Sequence, residues 1–473
     1  MADKDPASAA PHFDPATPPT AVRYRVLAWL CSLSFILYID RLCISKAAPQ
    51  IELELGISHT AMGFVFGAFT VAYGLFEVPT GRWGDRFGSR GVLTRIVVWW
   101  SMFTVLTGCV WPFHFDSGHG IELPGMPTPV PLVFDSFLLL LLIRFLFGAG
   151  EAGALPNAAR VVACWFPLGG RGPAQGFINT SALVGGAVTP VIAAYVIAWR
   201  GWRWAFFLFG LLGVVWALGF HRWFRDTPAE HPGVNEAERR LIIAGPVVPL
   251  RKGQSPVPWG RVLRSANVWI LGGVISCSAF VTYLYFFWYP TYLEIGRRVD
   301  RIQAGWLSGM VLAGGAVGAT LGGYLSDWLV HCSGERRVTR RRIGCVGLAG
   351  SALALVASVR CDQPVAGSCF AALACLSANA VLANWWAAVT EISGKHVGSL
   401  FGLMNSMGVP GAVASQLFFG RFADWMGEHG YRGRDQWDPG FYLYAAVLLA
   451  GALGWLFVDV TRPVVDAAEP EPS

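Results

Sequence analysis

The sequence predicts an all-α membrane protein whose twelve transmembrane helices form two pseudo-symmetric six-helix bundles. Three observations carry that prediction. The 473-residue chain has a mean hydropathy of +0.47 and only 14% charged residues, too apolar and too long for one soluble core. Apolar runs long enough to cross a bilayer recur along it. A polar break separates these runs into two sets of six, and short motifs recur across the break.

Taken in order, the first apolar run, Val26 to Ser45, follows a Pro/Ala-rich segment with no compact apolar core or cleavage site of the signal-peptide kind, so nothing is expected to be removed. Runs of roughly 17 to 25 residues place spans near 26–46, 61–80, 92–111, 136–163, 174–198 and 205–224, then near 267–290, 304–329, 343–360, 366–391, 399–424 and 441–460. The expected organisation is a disordered tail (1–22), a first bundle (23–224), a linker (225–265), a second bundle (266–460) and a second tail (461–473). The linker contains "RDTPAEHPGVNEAERRLI" and "RKGQSPVP", whose Pro, Gly and charge content suits a solvated connection with one short surface helix.

The halves resemble each other. "GRWGDRFGSR" (81–90) follows the second span, and "GGYLSDW" (322–328) follows its counterpart, while "GFIN" (176–179) is matched by "GLMN" (402–405). The two offsets differ because the connection 112–131 is longer than its counterpart 361–365. Parallel repeats of this kind place a substrate site near the bilayer midplane, between halves that rock about it.

Lys and Arg concentrate on the side that bears both termini, notably from Arg222 to Arg264 and from Arg336 to Arg342. That side is expected to be cytoplasmic, in a bacterial-type inner membrane. The formal net charge of +6 therefore reflects topology and contact with anionic lipid, and no nucleic-acid partner is expected. The ten cysteines contain no CxxC pair and no His spacing suited to a metal, so neither disulfide nor metal site nor cofactor is expected. The Gly-rich runs 181–190 and 314–318 read as small-residue packing faces at rocking interfaces, since no P-loop Lys follows them.

Five ionisable residues fall well within the spans: Asp40, Arg41, Glu77, Arg144 and Glu151. Each costs a few kcal/mol or more at depth unless it is paired or faces water. Arg144 and Glu151, seven residues apart, look out from one helix face about 10 Å apart. Asp40 and Arg41 point about 100° apart and are not expected to be each other's main partner. The arginines, permanently charged and fork-shaped, suit a carboxylate, and the acids suit proton uptake and release. Static cross-helix ion pairing is the competing reading. The aromatic run 283–293 includes Tyr285 and Trp288 beside Pro290 and fits either an interfacial belt or a cavity wall and outer gate.

The loop 81–90 resembles the G-x-L-x-D-R-x-G-R-R/K signature of the major facilitator superfamily. Gly81, Asp85, Arg86, Gly88 and Arg90 are on pattern, and Trp83 and Ser89 are off it. "YIDR" (38–41), "RFLFGAGEAGALPNAARVVACWFP" (144–167), "RWAFFLFG" (203–210) and "FRDTPAEHPGVNEAE" (224–238) are similar to the anion:cation symporter family, which includes bacterial proton-coupled sugar-acid importers and the animal sialic-acid and vesicular glutamate transporters. The resemblance implies a major facilitator fold. It implies proton coupling through Asp40 and Glu151, and substrate carboxylate binding by Arg41 and Arg144, with Tyr38 in the same motif. Tyr73 and Asn405 match hydroxyl-contacting groups, and Trp385 matches a cavity-lining aromatic. Gly81, Asp85, Arg86, Arg90 and the repeat's Asp327 fall at the cytoplasmic gate. Relatives often carry Gln at Glu77, which here becomes a third titrating acid. Leu183 replaces a polar group, and Gly170 replaces an acid near Arg171.

The expected function is secondary active transport: import of a small organic anion with protons, by a carrier expected to be a monomer. Sugar acids (hexuronates, aldonates, aldarates) come first, aromatic or other monocarboxylates second, and a non-transporting anion sensor third. No nucleophile and base set suggests an enzyme.

Overall fold

A computed structural model describes residues 18–121, 130–243, 258–393, 397–461 and 464. Most of the two tails and residues 244–257 of the linker therefore lie outside the described residues. The first half opens with α1 (Val22–Leu55), which ends at Gly56 in left-handed conformation with its N–H bonded to the Glu52 carbonyl. α2 (His59–Phe87) and α3 (Ser89–Gly108) follow. The connection before the fourth span carries an antiparallel hairpin, β1 (His114–Ile121) and β2 (Val130–Asp135), in register His114 to Asp135. This hairpin is an addition to the all-helical plan. Asp135 then caps α4 (Ser136–Glu151), accepting from the Leu138 N–H at 2.9 Å.

The fourth span is a single run in the sequence but two helices in the structure, α4 and α5 (Ala154–Trp165). Gly150, Gly153 and Pro156 explain the break: two residues of low helix propensity and one that cannot donate a backbone hydrogen bond. A side chain at Gly153 would meet Thr80 Cβ at 2.8 Å. The break sets Glu151 at the last residue of α4. α6 (Leu168–Arg200) and α7 (Trp202–Trp223) complete the half.

The linker contains α8 (Glu236–Ile243) and α9 (Trp259–Arg264), one short helix more than its composition suggested. Buried Glu238 of α8 accepts hydrogen bonds from the Val22 and Arg23 amides at 3.3 and 3.1 Å and contacts Thr20 Oγ1. It thereby satisfies the unpaired first N–H groups of α1. Residues 18–21 are thus fastened to the linker, a correction to the tail expected over 1–22.

The second half contains α10 (Ala266–Tyr283), a π-helical turn (284–288), α11 (Tyr289–Thr291) and a second π-helical turn (292–296). Then come α12 (Arg301–Ser333), α13 (Arg336–Arg360), α14 (Pro364–Ser393), α15 (Val397–Ser406), α16 (Gly408–Glu428) and α17 (Arg434–Phe457). Among the described residues, eleven helical segments are long and apolar enough to cross a membrane. The remaining expected span, 399–424, is built by α15 and α16 on either side of Met407. Its glycines, Gln416, Arg421 and Asp424 lower its hydropathy.

Close approaches show what the Gly-rich runs pack against. Gly185 lies against α1, where a Cβ would be 2.6 Å from the Phe35 carbonyl, and Gly318 lies against α14, 2.0 Å from the Leu376 carbonyl. Both pack helices within one half. The halves meet with Gly63 against the Gln416 carbonyl, and with Gly309 and Gly305 of α12 against the Ala187 and Pro190 carbonyls, so the run 181–190 lies between the halves as well as against α1. Hydrogen bonds between halves, among the described residues, lie toward the membrane face away from the termini. Lys46 binds Glu294 and donates to the Arg301 carbonyl at 2.8 Å. Thr60 Oγ1 donates to Asp424 at 2.6 Å, Thr70 Oγ1 to Gln416 at 3.0 Å, and Trp306 Nε1 to Tyr195 at 3.3 Å.

Lys46 was expected at the end of the first span. α1 runs nine residues beyond it, so Lys46 is a further buried charge within that helix.

Candidate functional site

Four ionisable side chains converge inside the first half. Asp40 and Arg41 come from α1, Arg144 and Glu151 from α4, and all are buried. Arg41 Nε donates to Glu151 Oε1 at 2.8 Å and its Nη2 grips the same oxygen. Asp40 Oδ2 instead accepts from Trp100 Nε1 of α3 at 3.1 Å. The neighbours on α1 thus take different partners, as their divergence on the helix requires. Among the described residues, Glu151 Oε2 and Asp40 Oδ1 have no hydrogen-bond partner.

Arg144 is the exception among these groups. It is 1% exposed, and its Nε, Nη1 and Nη2 all lack a hydrogen-bond partner among the described residues. Its guanidinium lies 4.2 Å from the Phe147 ring centroid and 5.4 Å from that of Phe69. Arg41 packs on the same Phe69 ring at 5.1 Å, and on Tyr38 and Tyr73 at 5.1 and 4.8 Å. Both cations therefore share one aromatic ring, with Glu151 and Asp40 within electrostatic reach of Arg144.

A half-buried rim surrounds Arg41. Tyr38, Tyr73 and Glu77 belong to the first half; Tyr283 and Phe286 reach in from the second, with Phe286 edge-on to Tyr38 at 6.4 Å. This is the only point in the cluster where the sequence reading and the structure select different aromatics of the 283–293 run. Tyr285 is buried, its hydroxyl has no hydrogen-bond partner, and it lies near Cys375 and Tyr289. Trp385 is also buried, donating from Nε1 to the Leu271 carbonyl at 2.9 Å. Asn405 is exposed on α15. Among the described residues no hydrogen bond joins these three to the arginines.

The loop residues lie apart, at the end bearing the termini. Gly81 lies against Pro156, at 3.3 Å from a built Cβ. Arg86 packs over Phe87 at 5.2 Å. Arg90 donates from Nε and Nη2 to the His221 carbonyl at 2.8 and 2.6 Å, and its amide binds Asp226 at 2.8 Å. The side chain of Asp85 lies outside the described residues. Asp327 is within 3.5 Å of Arg340 Nη2.

Trp100 is the partner that sequence reasoning missed, because nothing in a lone tryptophan of the third span announces a hydrogen bond to the first. Phe286 was hidden by the π-helical turn 284–288, within which the angular register departs from the α-helical one, and Tyr283 is the last α-helical residue before it.

Residues 30–415 match the family model described as the Major Facilitator Superfamily. A probable sulfoacetate transporter of Cupriavidus necator is 32% identical over 438 residues, covering 92% of this chain and 94% of the relative. A probable galactarate/D-glucarate transporter of Escherichia coli is 30% identical, covering 85% and 87%. Among solved structures, a bacterial homologue of the human lysosomal transporter Spinster matches with a TM-score of 0.73 at 18% identity, covering 93% of this chain and 97% of that one. The sequence motifs, the helical architecture and these matches agree: the chain belongs to the major facilitator superfamily.

Proposed function

We propose that this protein is a secondary active transporter that imports a small organic anion together with protons across the inner (plasma) membrane, with both termini cytoplasmic. Sugar acids are the first substrate class, and the relatives described as a probable sulfoacetate transporter and a probable galactarate/D-glucarate transporter support an anionic cargo. The single observation that carries the reading is Arg144, a buried guanidinium with no hydrogen-bond partner on any nitrogen. A permanent charge left this way is costly unless something anionic completes it.

Arg144 binds the cargo's carboxylate, and the aromatic rim of Tyr38 and Tyr73 contacts its carbon frame. Glu151 holds Arg41 until a proton neutralises the carboxylate; Arg41 is then free to turn to the cargo. Asp40 is the second proton site, and Glu77, half-exposed beside Arg41, is the third candidate. Tyr285, Trp385 and Asn405 serve as more distant walls of the pathway. The halves, 23–224 and 266–460, move as bodies joined by the linker. Contacts such as Lys46–Glu294 and Thr60–Asp424 hold the face away from the termini closed, which leaves access from the cytoplasm. Arg90, Arg86, Asp85, Gly81 and Asp327 form the gate on the cytoplasmic face.

The test is uptake of labelled sugar acids and aromatic acids by proteoliposomes containing only this protein. Accumulation driven by an inward proton gradient, lost in Asp40→Asn and Arg144→Ala, is the expected outcome. Uptake indifferent to the gradient would remove the proton roles, and binding without uptake would make the protein a sensor.

A further inference from the structure

We propose that a lateral groove in the first half binds one anionic phospholipid, with an acyl chain between α2, α3 and α4 and the phosphate on Arg95. The inference goes beyond the transport reading and does not depend on it.

The groove has a volume of about 530 Å³ and is walled by Trp83 and Phe87 of α2, Arg95 and Trp99 of α3, and Leu146 and Ala149 of α4. Its deep end closes where Phe76 and Phe145 meet edge-on at 6.3 Å. Its mouth, toward the membrane face that bears the termini, is marked by Trp83 and Phe87, both more than half exposed. From Phe76 to Phe87 it follows α2 for eleven residues, about 16 Å. That length matches one leaflet of a bilayer whose hydrocarbon is about 30 Å thick. The floor is fixed: Trp99 Nε1 donates to the Leu146 carbonyl at 2.9 Å, and its ring fills the space that a side chain at Gly150 would need. A slot of this length and lining suits a single acyl chain.

The walls are aliphatic and aromatic except at Thr80 and Arg95. Thr80 Oγ1 donates back to the Phe76 carbonyl at 2.6 Å, so its own helix satisfies it. Arg95 has no such partner: it is exposed and makes no hydrogen bond or ion pair with any described residue. It stands six residues into α3, about 9 Å from the end of that helix at the face bearing the termini. A lipid-facing guanidinium at that depth is costly unless its stem lifts it toward the interface and an anion meets it there. A phosphodiester is that anion, and the planar fork of a guanidinium matches its oxygens. Arg86, packed over the Phe87 ring at 5.2 Å, places a second cation at the mouth. A zwitterionic headgroup would bring its own ammonium against these two cations, whereas an anionic headgroup adds no positive charge.

The experiment titrates the full-length, delipidated protein in detergent with phosphatidylglycerol, phosphatidylcholine or glycerol phosphate and counts bound molecules by native mass spectrometry. One phosphatidylglycerol is expected to bind about tenfold tighter than phosphatidylcholine of the same chains, and glycerol phosphate, which has no chains, is expected not to bind. Arg95→Gln should bring that ratio close to one. Arg264→Gln, which removes an exposed arginine of α9 outside the groove, should leave it unchanged. Ala149→Phe, which fills the groove, should weaken the binding of both lipids. A phosphatidylglycerol with a photoreactive diazirine in its chain tests the unsubstituted protein: it should label residues 76–99 and 145–150 more than a phosphatidylcholine probe of the same chains does. Equal affinity for the two lipids, equal effects of the two arginine substitutions, undiminished binding by Ala149→Phe, or labelling no richer in the groove would each overturn the proposal, as would glycerol phosphate binding as tightly as the lipid.

Discussion

Two arginines, one in each half, are almost equally buried, and they differ in what surrounds them. Arg340 of α13 is 4% exposed and Arg144 of α4 is 1% exposed. Arg340 is enmeshed: Nη1 donates to Ser326 Oγ and to Asn384 Oδ1, and Nη2 to Glu391 at 2.9 Å and Asp327 at 3.5 Å. Arg144 packs on the Phe69 and Phe147 faces, with Glu151 and Asp40 in electrostatic reach but no hydrogen bond to any described residue. Burial by itself therefore says nothing of function. A satisfied buried arginine ties helices together, and an unsatisfied one fits the cargo-binding role proposed for Arg144.

The sharpest way to break this contrast is to remove each arginine and follow transport and stability separately. Arg144→Ala should lower uptake by about 100-fold or more, the worth of a charge-assisted bidentate contact, while the melting temperature changes little because the guanidinium gives up no hydrogen bond within the described residues. Arg144→Lys should fare little better, since an ammonium lacks the planar fork. Arg340→Ala should do the reverse. It strands Glu391 and Asn384 and should cost about 2 to 3 kcal/mol of stability, read as a fall in melting temperature, with anion affinity in the surviving folded protein retained. Equal stability losses in both variants would dissolve the distinction.

The sequence exposed one of these arginines and concealed the other. Arg144 sits in the middle of an apolar run, where any charge stands out. Arg340 lies in "GERRVTRRR", where one more arginine reads as part of a cytoplasmic cluster, and its partners Ser326, Asn384 and Glu391 come from α12 and α14. Span positions were legible because hydropathy reports lipid contact directly. The Arg41–Glu151 pair was not, because it depends on how α1 and α4 face each other, and one-helix spacing is silent on that. The helix break at 151–153 was foreshadowed by Gly150, Gly153 and Pro156, yet apolar-run counting passes over it.

A second contrast lies between the two membrane faces, and it can be sharpened by loosening the closed one. Lys46 bridges the halves through Glu294 and the Arg301 carbonyl. Lys46→Met keeps the aliphatic length and removes the bridge. The variant should populate the opposite-facing state more, seen as faster hydrogen exchange at the amides around Thr60 and Asp424, with uptake reduced a few-fold, the scale of a coupling of about 1 kcal/mol. Unchanged exchange there would mean that the hydrophobic contacts around Phe66 and Trp288 close this face without the charge pair.

The smallest expected effect belongs to the linker, where His231 packs edge-on against Trp165 and Trp223 at 5.8 and 4.8 Å. Burial, with Arg225 and Arg25 nearby, holds its imidazole below the usual histidine range. The folded protein thus binds a proton here less readily than the unfolded chain, whose histidine titrates near about 6.5. Stability from this contact is complete above that value and is lost as pH falls toward and through the folded-state value. Between pH 7.5 and 5.5 the melting temperature should decline by about 1 to 2 °C more in the wild type than in His231→Phe, which keeps the aromatic packing and cannot titrate. Because the linker is fastened to α1 through Glu238, the same acidification should lower the protection of the Val22 and Arg23 amides relative to the free-peptide exchange rate at each pH, and a decline confined to the second half would show that the linker's grip on the first half does not depend on this histidine.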